Sequence, residues 1–293
     1  MQGSRALAPG SPMPGRRGAK AQSHTGRISA WPQACGGLQT RDMSAHLLCA
    51  MLLVTLTRVL IPGQAMAEEI RVAVASNFKD AITLIAERFE TGTGHEVTLI
   101  FGSTGKHYAQ IRNGAPFDAF FAADKHRPER LEREGIALPG SRFTYALGKV
   151  VLWSPRVGYV DPHGTVLERG EFQHLAIANP RLAPYGKAAE EVLRARGLWA
   201  PLAGRLVRGE NISQTYQFVK SGNAQLGFVA YSQVKRPNLT IEGSVWSVPQ
   251  ALYTPIEQQA VLLRDTAVAR SFLSFVRGDA ASTIIREFGY DSP

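Results

Sequence analysis

From residue 70 onward, two hydrophobic periods alternate along the chain. Residues 70–75 (IRVAVA) make a short apolar run of buried-strand type, after which Phe78, Ala81, Ile82, Ile85 and Phe89 recur at helical spacing as far as Gly92 and Gly94. Residues 95–101 (HEVTLIF) return to the strand pattern. The segment GSTGK at 102–106 leads into a short helical stretch ending at Asn113 and Gly114, then a strand at 117–122 and a helix opened by Asp124. A strand-like run at 145–153 follows, with a strand at 175–178, a helix at 186–196 ended by Gly197, a helix at 211–220 and a strand at 226–230. Pro237 interrupts the pattern. Extended segments lie near Val245 and at 259–263, and helical patterns at 267–276 and 280–288 close the chain.

Strands alternating with helices predict an α/β fold whose mostly parallel sheets are covered by helices on both faces. The roughly 226 residues involved predict two lobes rather than one sheet, because strongly twisted sheets rarely exceed ~10 strands. The extended runs at 145–153 and 251–263 serve as the crossings between lobes, giving a first lobe of 68–148 plus 253–293 and a second of 149–252. No internal repeat or low-complexity segment occurs in this region.

Composition changes the picture mainly at the N-terminus. The formal charge of +9 is concentrated there: residues 1–67 hold seven Lys and Arg against one acid, Asp42, whereas the rest carries 26 basic and 23 acidic residues. The field of the remainder is mild, and no nucleic-acid partner is expected. Both cysteines, Cys35 and Cys49, lie in the same leader, so the globular part can form neither a disulfide nor a thiolate metal site. Residues 47–61 (LLCAMLLVTLTRVLI) are apolar apart from Arg58 and precede Pro62, Gly63 and Ala65-Met66-Ala67, the pattern of a signal peptide cleaved after Ala67. The stretch is too short and too charged to span a bilayer comfortably. Residues 1–42 lack apolar periodicity and read as a start-site artefact, with translation beginning at Met43 or Met51, or as a disordered extension. Arg16-Arg17 lies too far from the apolar core for a twin-arginine signal, and Cys49, inside the core and behind Leu48, does not fit a lipid anchor.

Candidate chemistry gathers at four junctions that place small polar residues or Gly directly before a helix: Ser76-Asn77, 102–105 (GSTG), Pro184-Tyr185-Gly186 and Asn211-Ile212-Ser213. In open α/β sheets such junctions lie at the carboxyl edge of the strands, where ligands bind. Their free N–H groups and the helix dipole make each a potential anion site. Taken singly, Ser76, Asn77 and Ser213 read as ordinary N-caps and Pro184-Tyr185-Gly186 as a turn with a half-buried Tyr. The fourfold recurrence points instead to an anion surrounded by two junctions from each lobe, with no Lys or Arg touching it. GSTGK fails the Walker pattern, since it lacks the leading glycine spacing and His107 follows the lysine. Asp80 and Glu210 read as solvated side chains or caps. His95, His107, His126, His163 and His174 read as isolated surface residues, with no pair at metal-ligand spacing.

Residues 69–293 resemble the periplasmic molybdate-binding proteins of molybdate ABC transporters, which have the two-lobed type II solute-binding fold. The resemblance rests on VAVASNF (72–78), FGSTGKHYAQIRNGAPFDAFFAAD (101–124), YALGKVVLWSP (145–155), IANPRLAPYGKAAEEVL (177–193), GENISQTYQFVKSGNAQLGFVAYSQV (209–234) and PIEQQAVLL (255–263), in this order. It implies an oxyanion, molybdate or tungstate, held by neutral hydrogen bonds at Ser76, Asn77, Ser103, Tyr185 and Ile212. Hydroxyls of Ser76 and Ser103 and backbone N–H groups of Asn77, Ser103 and Ile212 would donate. Some members carry the ligand-contacting Tyr after the strand matching 226–230; here Ala230 stands there and Tyr185 stands in the APYG turn, which places the chain in the Tyr-in-turn subgroup and leaves Tyr231 without an implied role. A site with no carboxylate suits a fully ionised dianion, whereas a protonated phosphate would want an acceptor.

The reading is therefore a periplasmic, non-enzymatic and monomeric receptor that needs no cofactor and serves an inner-membrane ABC permease. Its rivals are a receptor for sulfate or another oxyanion, and a hydrolase using the interlobe cleft with Ser103 or Ser213 as nucleophile, for which no nearby base is visible. A regulator's effector-binding domain lacks the DNA-binding helices expected ahead of it.

Overall fold

The apolar runs fold as strands covered on both faces. In a computed structural model, which describes residues 67–293, they form two five-stranded sheets. The signal-peptide and start-site expectations for 1–66 lie outside the described residues. Sheet 1 contains β1 (Glu69–Ala75), β2 (Glu96–Gly102), β3 (Ala119–Ala122), β4 (Phe143–Gly148) and β10 (Ile256–Leu262), in the order β2-β1-β3-β10-β4. Sheet 2 contains β5 (Val150–Ser154), β6 (Leu175–Ala178), β7 (Leu206–Gly209), β8 (Leu226–Ala230) and β9 (Ser244–Ser247), in the order β7-β6-β8-β5-β9. The helices of the first lobe are α1 (Lys79–Thr93), α2 (Thr104–Arg112), α3 (His126–Arg133), α8 (Ala267–Arg277) and α9 (Asp279–Glu287). Those of the second are α4 (Val166–Arg169), α5 (Pro184–Ala195), α6 (Ile212–Lys220) and α7 (Tyr231–Val234).

Burial of both faces explains why the central strands are mostly apolar. In sheet 1, Val72, Val74, Ala119, Phe121, Ala260 and Leu262 pack with Ile82, Ile85 and Phe89 of α1, Phe272 of α8 and Ile284 of α9. The alternate residues Ala73, Phe120, Ala122 and Val261 face the other way, against Ile111 of α2 and Leu131 of α3. Sheet 2 repeats the arrangement: Leu152, Leu175, Ile177 and Phe228 pack on α5, and Val151, Ala176 and Val229 pack with Val219 of α6. With both faces buried, polar alternation is excluded.

The parallel expectation describes β2-β1-β3 and β7-β6-β8, whose ladders are parallel. The antiparallel ladders belong to β10, which pairs with β3 and β4, and β5, which pairs with β8 and β9. Both are strands that arrive from the opposite sheet. The single run expected at 145–153 is in fact two strands, with Lys149 alone between β4 in sheet 1 and β5 in sheet 2. Gly148-Lys149 is the sole break in the run, too short to separate two strands in the pattern because the chain stays extended on both sides. The segments β7, α4 and α7 were not expected; at four residues each, they are too short for a periodic signal.

Local chemistry sets the helix ends. Gly94 terminates α1 in the left-handed conformation, φ 74°. Asp124 acts just ahead of α3, its Oδ1 accepting from Arg127 N–H at 2.9 Å. α5 starts at Pro184, two residues before the sequence expectation, because Pro at the first helical position needs no N–H partner. The first turn of α5 lies hard against the end of β6: a Cβ at Gly186 would be 2.2 Å from Ala178 O. Gly186→Ala is therefore expected to destabilise the protein by ~1–3 kcal/mol, read as a lower midpoint in urea. An unchanged midpoint would show that α5 is not seated this closely.

Candidate functional site

The carboxyl ends of β1 and β2 are neighbours, since Ala75 and Gly102 are paired in register. Ser76 and Ser103, the next residues of each strand, therefore leave the sheet side by side. Residues Ser76–Phe78 form one 3-10 turn before α1, with Ser76 and Asn77 both buried. Ser103 caps α2, its Oγ accepting from Lys106 N–H at 3.4 Å. In the other sheet, Ala178 and Gly209 are paired, so the turns before α5 and α6 leave from adjacent strands as well. Asn211 caps α6, its Oδ1 accepting from Gln214 N–H at 3.0 Å.

These two edges meet. Ser76 Oγ donates to Asn211 Oδ1 at 3.2 Å, and Ser213 returns the contact twice, its N–H donating to Ser76 Oγ at 3.4 Å and its Oγ to Ser76 O at 3.1 Å. Ile212, at the first position of α6, lies between these two partners, and its own N–H has no intrahelical acceptor. Gly105 N–H donates to Leu182 O across the same seam at 2.8 Å. Ala75 and Ala123 of the first lobe pack in one apolar cluster with Ala183, Tyr185 and Ile212 of the second.

Asn77 turns its side chain into a polar network. Its Nδ2 donates to Gln258 Oε1 at 2.6 Å and to Tyr290 OH at 3.1 Å, while its carbonyl accepts from Tyr290 OH at 2.8 Å and Ser232 Oγ at 3.1 Å. Tyr185, second in α5, reaches across from the opposite lobe. Its hydroxyl is buried with no hydrogen-bond partner, and so is Gln258 Nε2. Burial raises the Tyr185 phenol pKa well above its ordinary value; Tyr290, Tyr145 and Tyr253 add to the rise, and the nearby Gln258 amide opposes it without completing a hydrogen bond.

The structure thus gathers Ser76, Asn77, Ser103, Tyr185 and Ile212 around one seam. Among the described residues, no Lys or Arg side chain hydrogen-bonds to any of the five. Two cations close to the junctions are paired across the lobes. Lys106 pairs with Glu210 at 2.9 Å, and Arg236 with Asp80 at 2.7 Å. Asp80 and Glu210 are partly solvated, as expected, and each also pairs with a cation of the opposite lobe. His107 is a correction: it is buried, its Nε2 3.2 Å from Val74 O and its Nδ1 3.1 Å from Gln110 Oε1, and burial lowers its pKa. The Tyr231 ring lies against Gly289 and hydrogen-bonds to none of the five. Ser213 Oγ donates to a carbonyl and Ser103 Oγ caps a helix, so neither touches a base. No cluster of three metal-ligating side chains occurs among the described residues.

Sequence reasoning missed Gln258, Tyr290, Tyr145 and Ser232, which complete the network around Asn77. The only signal was the polar run Glu257-Gln258-Gln259 at the start of strand β10.

Residues 70–291 match the family described as bacterial extracellular solute-binding protein. The molybdate-binding protein of Azotobacter vinelandii is 49% identical over 242 residues, covering 82% of this chain and 96% of the relative. That of Rhodobacter capsulatus is 48% identical over 229 residues, covering 77% and 89%. Among solved structures, the periplasmic molybdate-binding protein of Azotobacter vinelandii superposes with a TM-score of 0.75 at 44% identity, covering 76% of this chain and 99% of that one.

The tyrosines give the seam a pH signature. Burial raises the phenol pKa values of Tyr145, Tyr185 and Tyr290 in the folded state. In the unfolded chain they ionise near ~10. Their contribution to stability is complete below that pH and is lost as pH rises above it. Phenolate absorbance of the native protein at about pH 11 should leave these three protonated, and unfolding free energy should fall steeply above about pH 10. Full ionisation of all eight tyrosines at that pH in a folded protein would contradict the assignment.

Proposed function

Because the chain belongs to the bacterial extracellular solute-binding protein family, we propose that it captures molybdate or tungstate as a tetrahedral dianion and delivers it to an inner-membrane ABC permease. The observation that carries this reading is the Tyr185 hydroxyl, a donor buried without a partner where helix N-termini from two lobes converge. A buried O–H without an acceptor is costly, and an oxyanion oxygen removes that cost.

In this reading the first lobe contributes Ser76, Asn77 and Ser103, and the second Tyr185 and Ile212. Hydroxyl protons come from Ser76, Ser103 and Tyr185. Backbone N–H groups come from Asn77, Ser103 and Ile212, with the positive ends of α2 and α6 behind the last two. Ser76 Oγ, which donates to Asn211 Oδ1, turns its proton to the anion. None of the five residues carries a charge, so the set offers donors and no carboxylate acceptor. That favours a dianion ionised at neutral pH over a protonated phosphate. Cavity size separates the larger group-6 oxyanions from sulfate. The lobes close by hinge motion about Lys149 and the segment 249–255. The leader directs export to the periplasm, where the monomer binds without chemical turnover or a resident cofactor.

Two measurements test the proposal. A ligand at about 100 times its Kd stabilises by ~2.7 kcal/mol, which raises the thermal midpoint by roughly 5–10 °C for a chain of this size. Molybdate and tungstate are expected to produce that shift, and sulfate and phosphate little; no shift with either group-6 oxyanion at millimolar concentration overturns the reading. Tyr185→Phe should weaken binding about 5- to 150-fold by calorimetry, the loss of one hydrogen bond to a charged oxygen, at ~1–3 kcal/mol. Unchanged affinity removes Tyr185 from the site.

A further inference from the structure

Gln258 lies in β10 and is fully buried. Its Oε1 accepts from Asn77 Nδ2 at 2.6 Å; Tyr145 OH lies 3.3 Å away and shares its single proton with Ala122 O at 3.1 Å. The short bond from Asn77 makes that end of the amide the acceptor, so Nε2 points the other way, where it finds no partner. The other unpaired atom of the seam lies close by. A Cβ on Gly148 would stand 2.3 Å from Tyr185 Oη and 3.0 Å from Gln258 Nε2, so the two orphans converge on the one residue of β4 that has no side chain to separate them. Gln258 belongs to the first lobe and Tyr185 to the second.

We propose that Gln258 is a positioning residue for the anion site: it donates Nε2–H to Tyr185 Oη as the lobes close, which turns the phenol proton toward the bound oxyanion. This rests on the oxyanion reading above. A phenol oxygen that accepts one hydrogen bond keeps its own proton free to donate, and donation into it polarises that proton further. The same glutamine holds Asn77 through Oε1. One side chain therefore ties a junction of the first lobe to the anion-facing hydroxyl of the second. Without the amide N–H, nothing on the Gly148 side fixes the phenol's orientation.

The test is a double-mutant cycle on calorimetric molybdate affinity, using Gln258→Met and Tyr185→Phe. Gln258→Met is expected to weaken binding about tenfold when Tyr185 is present and less than about twofold in the Tyr185→Phe background. Equal losses in both backgrounds would mean that Gln258 acts through Asn77 or on the anion directly, and would overturn the proposal. So would no loss in either. A second variant keeps the test independent of packing at residue 258. Gln258→Glu retains the acceptor for Asn77 but, when ionised, cannot donate to Tyr185. Its affinity should recover about tenfold as pH falls from 9 to 6 and the carboxyl protonates, against a flat wild-type profile. A flat profile for Gln258→Glu contradicts the proposed donation. Failure of the wild-type protein to bind molybdate would instead overturn the oxyanion reading, and this inference with it.

Discussion

A buried donor must find an acceptor, and the seam between the two sheets is where this chain concentrates donors. Each sheet ends, on its carboxyl edge, in paired strands whose next residues start helices: Ala75 beside Gly102, and Ala178 beside Gly209. Helix starts supply N–H groups that no helix can satisfy. Some are met by caps, as at Ser103 and Asn211, and some by the other lobe, as at Gly105 and Ser213. The Tyr185 hydroxyl and Gln258 Nε2 remain unmet in the same place. In the proposed mode of binding, these neutral donors face the oxyanion.

The two crossings make this seam possible. Lys149 is the only residue between β4 and β5, so the chain passes from one sheet to the other without a loop. Gly148, directly before it, leaves room for a tyrosine from the opposite lobe. β10 brings Gln258 back into sheet 1, between β3 and β4, and within reach of Asn77. Charges stay at the margin. Lys106 with Glu210 and Asp80 with Arg236 bridge the lobes as partly exposed pairs, each opposite in sense to the other. Such pairs contribute ~0–1 kcal/mol and are screened by salt, so they align the lobes more than they hold them.

The alternation of strands and helices, and the polar junctions that end the strands, were legible in the sequence because both are local signals. A strand buried on both faces is a continuous apolar run, and a helix start is a small polar residue before a periodic segment. The junctions holding Ser76, Asn77, Ser103, Tyr185 and Ile212 could be singled out on that basis, and the resemblance implied which atoms of the five donate. What could not be read depends on distant parts of the chain. Gln258 and Tyr290 meet Asn77 across 181 and 213 residues, and neither sits in a pattern that predicts the contact. Asp80 and Glu210 find their partners only when two lobes face each other. The split at Lys149 was hidden because extended, buried chain looks the same in either sheet. His107 looked like a surface histidine because its polar partners, Val74 O and Gln110, do not show in the hydrophobic pattern.

The central claim is that neutral donors from both lobes, and no cation, hold the anion. A crystal structure of the mature protein grown with molybdate, with anomalous data collected at the molybdenum edge, tests it directly. One strong peak is expected in the seam, with its oxygens at ~2.7–3.2 Å from donors of Ser76, Asn77, Ser103, Tyr185 and Ile212 and no Lys or Arg nitrogen in contact. A peak elsewhere, or one held by Lys106 or Arg236 released from their partners, would contradict it.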